Sequence, residues 1–181
     1  MTNNTNRQRL PHDEKFPATP PLNELAAAIK TAFLANGATL ATAESCTGGR
    51  IAALIASVSG ASAYFKGGIV AYSNDVKTSV LGVESATLEQ HGAVSREVVE
   101  QMAQGARRVL RADYAIATSG IAGPDGGTPD KPVGTICIAA ATPNGVESIQ
   151  LSLPFDRAGN IEATIARTIE MLLSTEFLSA C

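Results

Sequence analysis

The sequence predicts an α/β domain, a three-layer α/β/α sandwich around a mixed, mostly parallel sheet. Short apolar runs rich in β-branched residues alternate with segments of helical period, which is typical of a sheet covered by helices. Glycine-rich segments follow two of these runs directly. Near the end of the chain, Pro143-Asn144-Gly145 forms a short turn between two apolar runs, so these runs are expected to pair antiparallel.

The first helix is predicted at Leu22–Asn36, where apolar residues recur every three or four positions and Gly37 follows as a C-cap signal. Residues 1–21 hold four of the nine prolines and few apolar side chains, so they are expected to be a disordered tail. One single domain is therefore expected over residues 22–181, in agreement with the length of the chain.

Five strands are predicted at residues 38–43, 67–72, 114–118, 133–141 and 146–153. Thr47 is expected to cap a helix over 47–58, and two shorter helical pieces follow the second strand. Ser95 is the predicted N-cap of a longer helix with Val98, Met102, Ala106 and Val109 along one stripe. The last helix is predicted over residues 157–178.

Composition excludes several classes of function. With 17 acidic and 14 basic residues the net charge is −3, which gives no general attraction to nucleic acid or anionic membranes. Two histidines and three cysteines without metal-ligand spacing predict neither zinc nor a disulfide framework. The N-terminus has no apolar signal segment and no apolar run is long enough for a membrane span, so a cytoplasmic protein is expected.

The segment 43–50, AESCTGGR, joins the first predicted strand to the next helix. Ser45 at the strand end has a hydroxyl that could attack a carbonyl, and amides near Gly48 and Gly49 could bind an anion or an oxyanion. Two alternatives remain open here. The segment could be only a capped helix start, and Cys46 competes with Ser45 as the nucleophile because a helix N-terminus favours a thiolate.

A serine nucleophile needs a base, and the histidines are poorly placed for this role. His12 lies in the predicted tail, and His91 is expected at a helix C-terminus. Lys77, with Lys66 behind it, flanks the strand that ends near Tyr72, and a lysine acts as a base when burial lowers its pKa. The alternative for Lys77 is an exposed lysine in the first turn of a helix.

A second glycine-rich segment, 118–127, also follows a predicted strand. Loops at the carboxyl ends of parallel strands converge on one crevice, so the loops that begin near Ser45, Tyr72 and Ser119 are expected to form one site.

Four segments are informative together, namely AESCTGG at 43–49, Tyr72-Ser73-Asn74 with Lys77, HGAVS at 91–95, and SGIAGPDGG at 119–127 with KPVG at 131–134. Together they closely resemble the CinA C-terminal domain family, the nicotinamide-nucleotide amidohydrolases. They occur in the family's order, and the resemblance covers about residues 22–178. It implies hydrolysis of the carboxamide of nicotinamide mononucleotide to nicotinate mononucleotide and ammonia, in pyridine-nucleotide recycling.

The resemblance implies that Ser45 is the nucleophile, Lys77 the base and Tyr72 the tyrosine associated with them. Arg157, in Phe155-Asp156-Arg157, is the implied phosphate contact, although Phe155 stands where the family has glycine. No metal or cofactor is implied. The expected substrate-binding residues are Thr47, Gly48, Gly49, Asn74, Ser119, Gly120, Ile121, Ala122, Gly123 and Arg157.

The expected partners are a small nucleotide substrate and further copies of the chain in a homo-oligomer, with no nucleic acid and no membrane. Two other functions remain open. The glycine-rich loops could hold a nucleotide without turnover, as a binding or interaction module. A hydrolase that depends on Cys46 is the second alternative.

Overall fold

The structure, a computed structural model, describes residues 20–174 and contains a five-stranded sheet and six helices. The strands are β1 (Leu40–Glu44), β2 (Phe65–Val70), β3 (Tyr114–Gly120), β4 (Thr135–Thr142) and β5 (Gly145–Ser152). The helices are α1 (Leu22–Asn36), α2 (Arg50–Ala56), α3 (Asn74–Ser79), α4 (Ser85–His91), α5 (Arg96–Leu110) and α6 (Arg157–Ser174).

The sheet is mixed and has the strand order β2-β1-β3-β4-β5. β1 pairs in parallel with both β2 and β3, whereas β4 runs antiparallel to β3 and to β5. Four strands therefore point in one direction, and the predicted hairpin of β4 and β5 is confirmed. Because β2, β1 and β3 are parallel neighbours, their carboxyl ends meet at one edge of the sheet.

Helices cover both faces of the sheet, which confirms the three-layer architecture. Apolar side chains of α1, α2 and α6 form one core with Leu40 and Ile116. On the opposite face α5 packs against small residues of the strands, such as Ala41 and Ala115. The connection after α3 also lies close to α5, since a Cβ atom on Gly105 would stand 2.0 Å from the carbonyl oxygen of Leu81.

Two predicted helix ends are confirmed. The hydroxyl of Ser95 accepts from the amide of Val98 at 3.3 Å and caps α5. Gly37 ends α1 in the left-handed conformation with φ 60°. The predicted stripe on α5 is partly wrong, because Val109 is 45% exposed whereas the other three members are buried.

Other boundaries differ from the prediction. β1 begins two residues later than expected and ends at Glu44, and α2 begins only at Arg50. Thr47 does not cap α2, because Gly49 stands at the N-cap and a carboxylate described below binds the free amides. The predicted tail up to residue 19 and residues 175–178 of the last predicted helix lie outside the described residues. Within residues 20–174, no helix is long and apolar enough to cross a membrane.

Candidate active site

The three strand-end loops border a cavity of about 200 Å³ at the carboxyl edge of β2, β1 and β3. The expected convergence of the loops near Ser45, Tyr72 and Ser119 is therefore observed. The lining also includes a loop between α4 and α5 and the first residue of α6. Its residues are Ser45, Cys46, Tyr72, Asn74, Lys77, Ala93, Val94, Ser119, Gly120, Ala122 and Arg157.

Lys77 reaches the predicted nucleophile from α3. Its Nζ atom lies 3.1 Å from Oγ of Ser45, and it donates to the carbonyl oxygen of Ala71 at 2.9 Å. The carbonyl oxygen of Tyr72 is a third partner at 3.4 Å. The alternative of an exposed lysine is wrong, since Lys77 is 1% exposed.

Burial lowers the pKa of Lys77 below its ordinary value, because the amine has lost most of its contact with water. Within the described chain Lys77 forms no salt bridge that would stabilise its charged form. A buried lysine without a carboxylate partner has a larger neutral fraction near neutral pH than an exposed one. This is the electrostatic condition for a lysine that accepts a proton.

Glu44 fixes the turn that carries Ser45, and sequence reasoning missed this role. Its carboxylate is 1% exposed and accepts from the α2 amides of Ile51 at 3.1 Å and Ala52 at 2.8 Å. It also accepts from the amide of Gly49 at 3.0 Å and the hydroxyl of Thr47 at 2.7 Å. The anion at this helix N-terminus is therefore a side chain of the protein itself.

This arrangement corrects the expected role of Gly48 and Gly49. The amide of Gly49 is bound to Glu44, and that of Gly48 donates to the carbonyl of Ser45 at 3.1 Å. Neither amide is available to a ligand, and neither residue lines the cavity. Thr47 is likewise outside the lining, because its hydroxyl is directed to Glu44.

Cys46 lies in the wall of the cavity but does not have the properties of a nucleophile. Burial raises the pKa of its thiol to about 12, so that almost no thiolate exists at neutral pH. The side chain of Thr118 hydrogen-bonds to the thiol, and the hydroxyls of Thr118 and Thr47 are 2.8 Å apart. The expected stabilisation of the thiolate by a helix N-terminus is wrong, because Glu44 occupies that position.

Tyr72 and Arg157 meet on the solvent side of the cavity. The phenol of Tyr72 is 62% exposed and lies 3.4 Å from a guanidinium nitrogen of Arg157. A second nitrogen of Arg157 donates to the carbonyl of Gly123 at 2.7 Å. The backbone carbonyl of Tyr72 accepts from Lys77, whereas the phenol of Tyr72 lies beside the guanidinium of Arg157.

The loop of residues 92–94 forms a wall that the sequence did not predict as part of the site. The hydroxyl of Ser119 donates to the carbonyl of Ala93 at 2.7 Å, and Nζ of Lys131 donates to the carbonyl of Val94 at 2.7 Å. Ala93 and Val94 line the cavity as a result. The HGAVS segment was the available signal, but Ala93 and Val94, the residues of it that line the cavity, carry no reactive side chain.

The glycine-rich segment after β3 is only partly in contact with the cavity. Gly120 and Ala122 line it, whereas Ile121 and Gly123 do not. The amide of Ile121 donates to the carbonyl of Thr135 at 2.9 Å and so continues the pairing with β4.

Within residues 20–174, no group of three or more His, Cys, Asp or Glu side chains is arranged so that it could hold a metal ion.

The fold and the site together define the class of protein. It is an α/β sandwich in which a buried lysine contacts a serine at the carboxyl ends of the parallel strands. Comparison with known proteins gives the family. The model of the CinA C-terminal domain matches residues 22–175, and the chain belongs to this family.

Among curated relatives, a CinA-like protein of Shewanella piezotolerans is 57% identical over 130 residues, which are 72% of this chain and 31% of that protein. A protein of Shewanella oneidensis named nicotinamide-nucleotide amidohydrolase PncC is 50% identical over 155 residues. That alignment covers 86% of this chain but 37% of the relative, so the chain spans little more than a third of the relative's length.

Solved structures agree with the fold. The competence/damage-inducible protein CihA of Agrobacterium tumefaciens has 41% sequence identity and a TM-score of 0.83, over 88% of this chain and 98% of that one. A CinA superfamily protein of Klebsiella pneumoniae 700603 has 34% identity and a TM-score of 0.84, over 89% and 99% of the two chains.

Proposed function

We propose that this protein hydrolyses the carboxamide of a nicotinamide nucleotide, with Ser45 as nucleophile and Lys77 as general base. The observation that carries the proposal is the distance of 3.1 Å between Ser45 Oγ and Lys77 Nζ inside the cavity. The name of the Shewanella oneidensis relative supports the nucleotide amide as substrate. The product would be nicotinate mononucleotide, and the reaction would belong to pyridine-nucleotide recycling in the cytoplasm.

The surroundings of Lys77 suit both of its protonation states. A neutral amine has two N–H donors and one lone pair. With the carbonyls of Ala71 and Tyr72 as acceptors, the lone pair is left for the hydroxyl proton of Ser45. A charged ammonium has three donors and meets the same three oxygen atoms. Proton transfer therefore needs no movement of the side chain.

The reaction then proceeds in two stages. Lys77 takes the hydroxyl proton as Ser45 Oγ bonds to the carboxamide carbon, and the carbonyl oxygen becomes an oxyanion. The carbonyl re-forms, the C–N bond breaks, and the Lys77 ammonium protonates the leaving nitrogen to give ammonia. In the second stage Lys77 takes a proton from water as the hydroxide attacks the ester, and the Lys77 ammonium then gives this proton to Ser45 Oγ as the carboxylic acid leaves.

The amide of Cys46 is the proposed oxyanion donor. Among the described residues it donates to no other residue, and it belongs to the residue after the nucleophile at the cavity wall. The amide of the residue that follows a nucleophile is a common donor to the charge that develops on the attacked carbonyl. Cys46 thereby acts through its backbone, while its protonated thiol is a packing group.

Arg157 is the proposed contact for the nucleotide's phosphate. It is an exposed cation that lines the same cavity as Ser45 and Lys77. Because Glu44 closes the N-terminus of α2 to anions, the guanidinium is the group in the lining that suits a phosphate. The substrate would lie with its amide at Ser45 and its phosphate at Arg157.

That copies of the chain form a homo-oligomer stays a prediction.

The test is an assay of ammonia release from nicotinamide mononucleotide. The wild-type protein should release ammonia from the nucleotide, and Ser45→Ala should lower kcat by at least about 10³-fold. Ser57→Ala, an exposed serine after α2, is the matched control and should keep full activity. Binding of the nucleotide without ammonia release would instead support the binding module, and full activity of Ser45→Ala would refute the assigned nucleophile.

A further inference from the structure

Asn160 is a fully buried polar side chain near the start of α6, with 0% exposure. Its Oδ1 atom accepts from the amide of Phe155 at 3.2 Å, and its Nδ2 donates to the carbonyl of Ala122 at 3.1 Å. A buried amide is costly unless its donor and acceptor are both satisfied, and here both are. Its partners lie on two different segments that border the cavity.

These two segments are the ones that place Arg157. Asn160 joins the segment before α6 to the loop at Ala122, and Arg157 donates to Gly123, the next residue of that loop, at 2.7 Å. Two neighbouring hydrogen bonds therefore tie the start of α6 to the glycine-rich loop. The inner bond is buried, whereas Arg157 is exposed and available to a ligand.

We infer that Asn160 is a positioning residue for the anionic end of the substrate, acting through Ala122 and Arg157. This inference rests on the proposed function, in which Arg157 binds the phosphate. Asparagine suits this place because it offers a donor and an acceptor on one planar group. Aspartate would keep the acceptor for Phe155 but set a carboxylate against the carbonyl of Ala122, and leucine would satisfy neither partner.

The inner face of α6 offers a matched control. Thr168 is also 0% exposed, and its hydroxyl donates to the carbonyl of Thr164 at 2.7 Å, within the helix itself. Thr168→Val removes a buried polar group from the same helix without touching either segment at the cavity. Thr168→Val should show any general loss of packing or stability that the Asn160 variants also show. Its phosphate binding should not change.

The experiment measures kcat and KM of wild type, Asn160→Leu, Asn160→Asp and Thr168→Val with nicotinamide mononucleotide and with nicotinamide riboside, which lacks the phosphate. Asn160→Leu should raise KM for the nucleotide about tenfold and change kcat less than about twofold. The KM for the riboside should not change. Thr168→Val should leave both KM values unchanged.

A second measurement does not depend on turnover or on one variant. Calorimetric binding of the nucleotide in a Ser45→Ala background should show the same loss of affinity for both Asn160 variants, and no further loss when Arg157→Ala is added. Equal losses for nucleotide and riboside, a loss in kcat alone, or additive effects with Arg157→Ala would overturn the inference. If wild type binds the nucleotide but releases no ammonia, the proposed function fails while these binding data still decide the role of Asn160.

Discussion

Ala71 fixes the position of Lys77, since its carbonyl accepts from Nζ of Lys77 at 2.9 Å while its amide donates to the carbonyl of Glu44 at 2.8 Å. Glu44 is the residue before Ser45. The continuation of β2 beyond its last residue therefore holds the lysine in register with the serine at the end of β1. A rigid sheet edge sets the distance between the two groups, which is the kind of support that a reacting pair needs.

The first prediction concerns the pH dependence of the reaction. Only the neutral amine of Lys77 accepts the proton of Ser45, so kcat/KM should rise with pH and level off above the pKa of Lys77. Because burial lowers that pKa, the midpoint should lie below the ordinary value for lysine. A pH profile of ammonia release measures it. A rate that falls as pH rises through this range would contradict the base assignment.

The second prediction separates the activity of Lys77 from its effect on stability. Lys77→Met should lower kcat by about 10²- to 10⁴-fold. Because the pKa of Lys77 is lower in the folded protein, the unfolded chain binds more protons, so stability rises with pH between the folded and unfolded pKa values. Below that window the buried amine destabilises the fold. Lys77→Met should therefore be at least as stable as wild type at neutral pH, and its stability should depend less on pH.

Thermal unfolding between neutral and alkaline pH tests this prediction. Lys66→Met is the control, since Lys66 is an exposed lysine near the amino end of β2 and does not line the cavity. It should alter neither the activity nor the pH dependence of stability. A Lys77→Met protein that unfolds more readily than wild type would show that the lysine stabilises the fold.

The third prediction addresses Glu44. Glu44→Gln replaces one acceptor oxygen by an NH₂ group among three amides and a threonine hydroxyl that all donate. The free energy of unfolding should fall by about 2–4 kcal/mol, and kcat should fall because the Ser45 turn loosens. Urea unfolding and kinetics measure both quantities. Glu89→Gln, an exposed glutamate on α4, should change neither.

Much of this site could be predicted from the sequence. The loops near Ser45 and Tyr72 were expected to meet because parallel neighbouring strands end at the same edge, whereas Lys77 was selected as the base by the family resemblance. Glu44 was not expected to cap α2, since a threonine and two glycines at the turn already offered the usual cap signals. The direction of the chain at the end of β1 decides which acceptor reaches the α2 amides. The local sequence does not predict that direction.

Asn160 was missed for a related reason. Ile161, Ile165 and Ile169 recur at helical spacing in the sequence, and all three are buried on α6. Asn160, Thr164 and Thr168 repeat at the same spacing one position earlier and are all 0% exposed, so a polar row beside the apolar stripe was the available signal. Helical periodicity gives that row, but the partner of Asn160 on the loop at Ala122 comes only from the tertiary packing.

The fourth prediction tests the two candidate nucleophiles against each other. The thiol of Cys46 has a pKa of about 12 and is 8% exposed, so iodoacetamide should not label it at neutral pH. Cys46→Ala should keep kcat within about fivefold, because its backbone amide is retained. Peptide mass spectrometry after labelling, in a Cys181→Ser background, measures the reactivity. Rapid labelling of Cys46 that the nucleotide prevents, together with loss of activity in Cys46→Ala, would favour the thiol.

The fifth prediction concerns Arg157 and the orientation of the substrate. Removal of one charged contact to a phosphate should raise KM for the nucleotide about 10- to 100-fold in Arg157→Ala, with kcat within about threefold. The riboside should bind equally well to wild type and variant. Arg167→Ala is the control on the same helix, because Arg167 pairs with Glu170 at 2.8 Å and does not line the cavity.

Tyr72→Phe refines this prediction, because the phenol lies 3.4 Å from the guanidinium of Arg157 while Lys77 contacts the Tyr72 carbonyl. If the phenol only orients Arg157, the variant should raise KM for the nucleotide and leave kcat unchanged. If the phenol instead moves to relay a proton to Lys77, kcat should fall for the nucleotide and the riboside alike. The split between kcat and KM therefore decides whether Tyr72 serves the reacting pair or the phosphate contact.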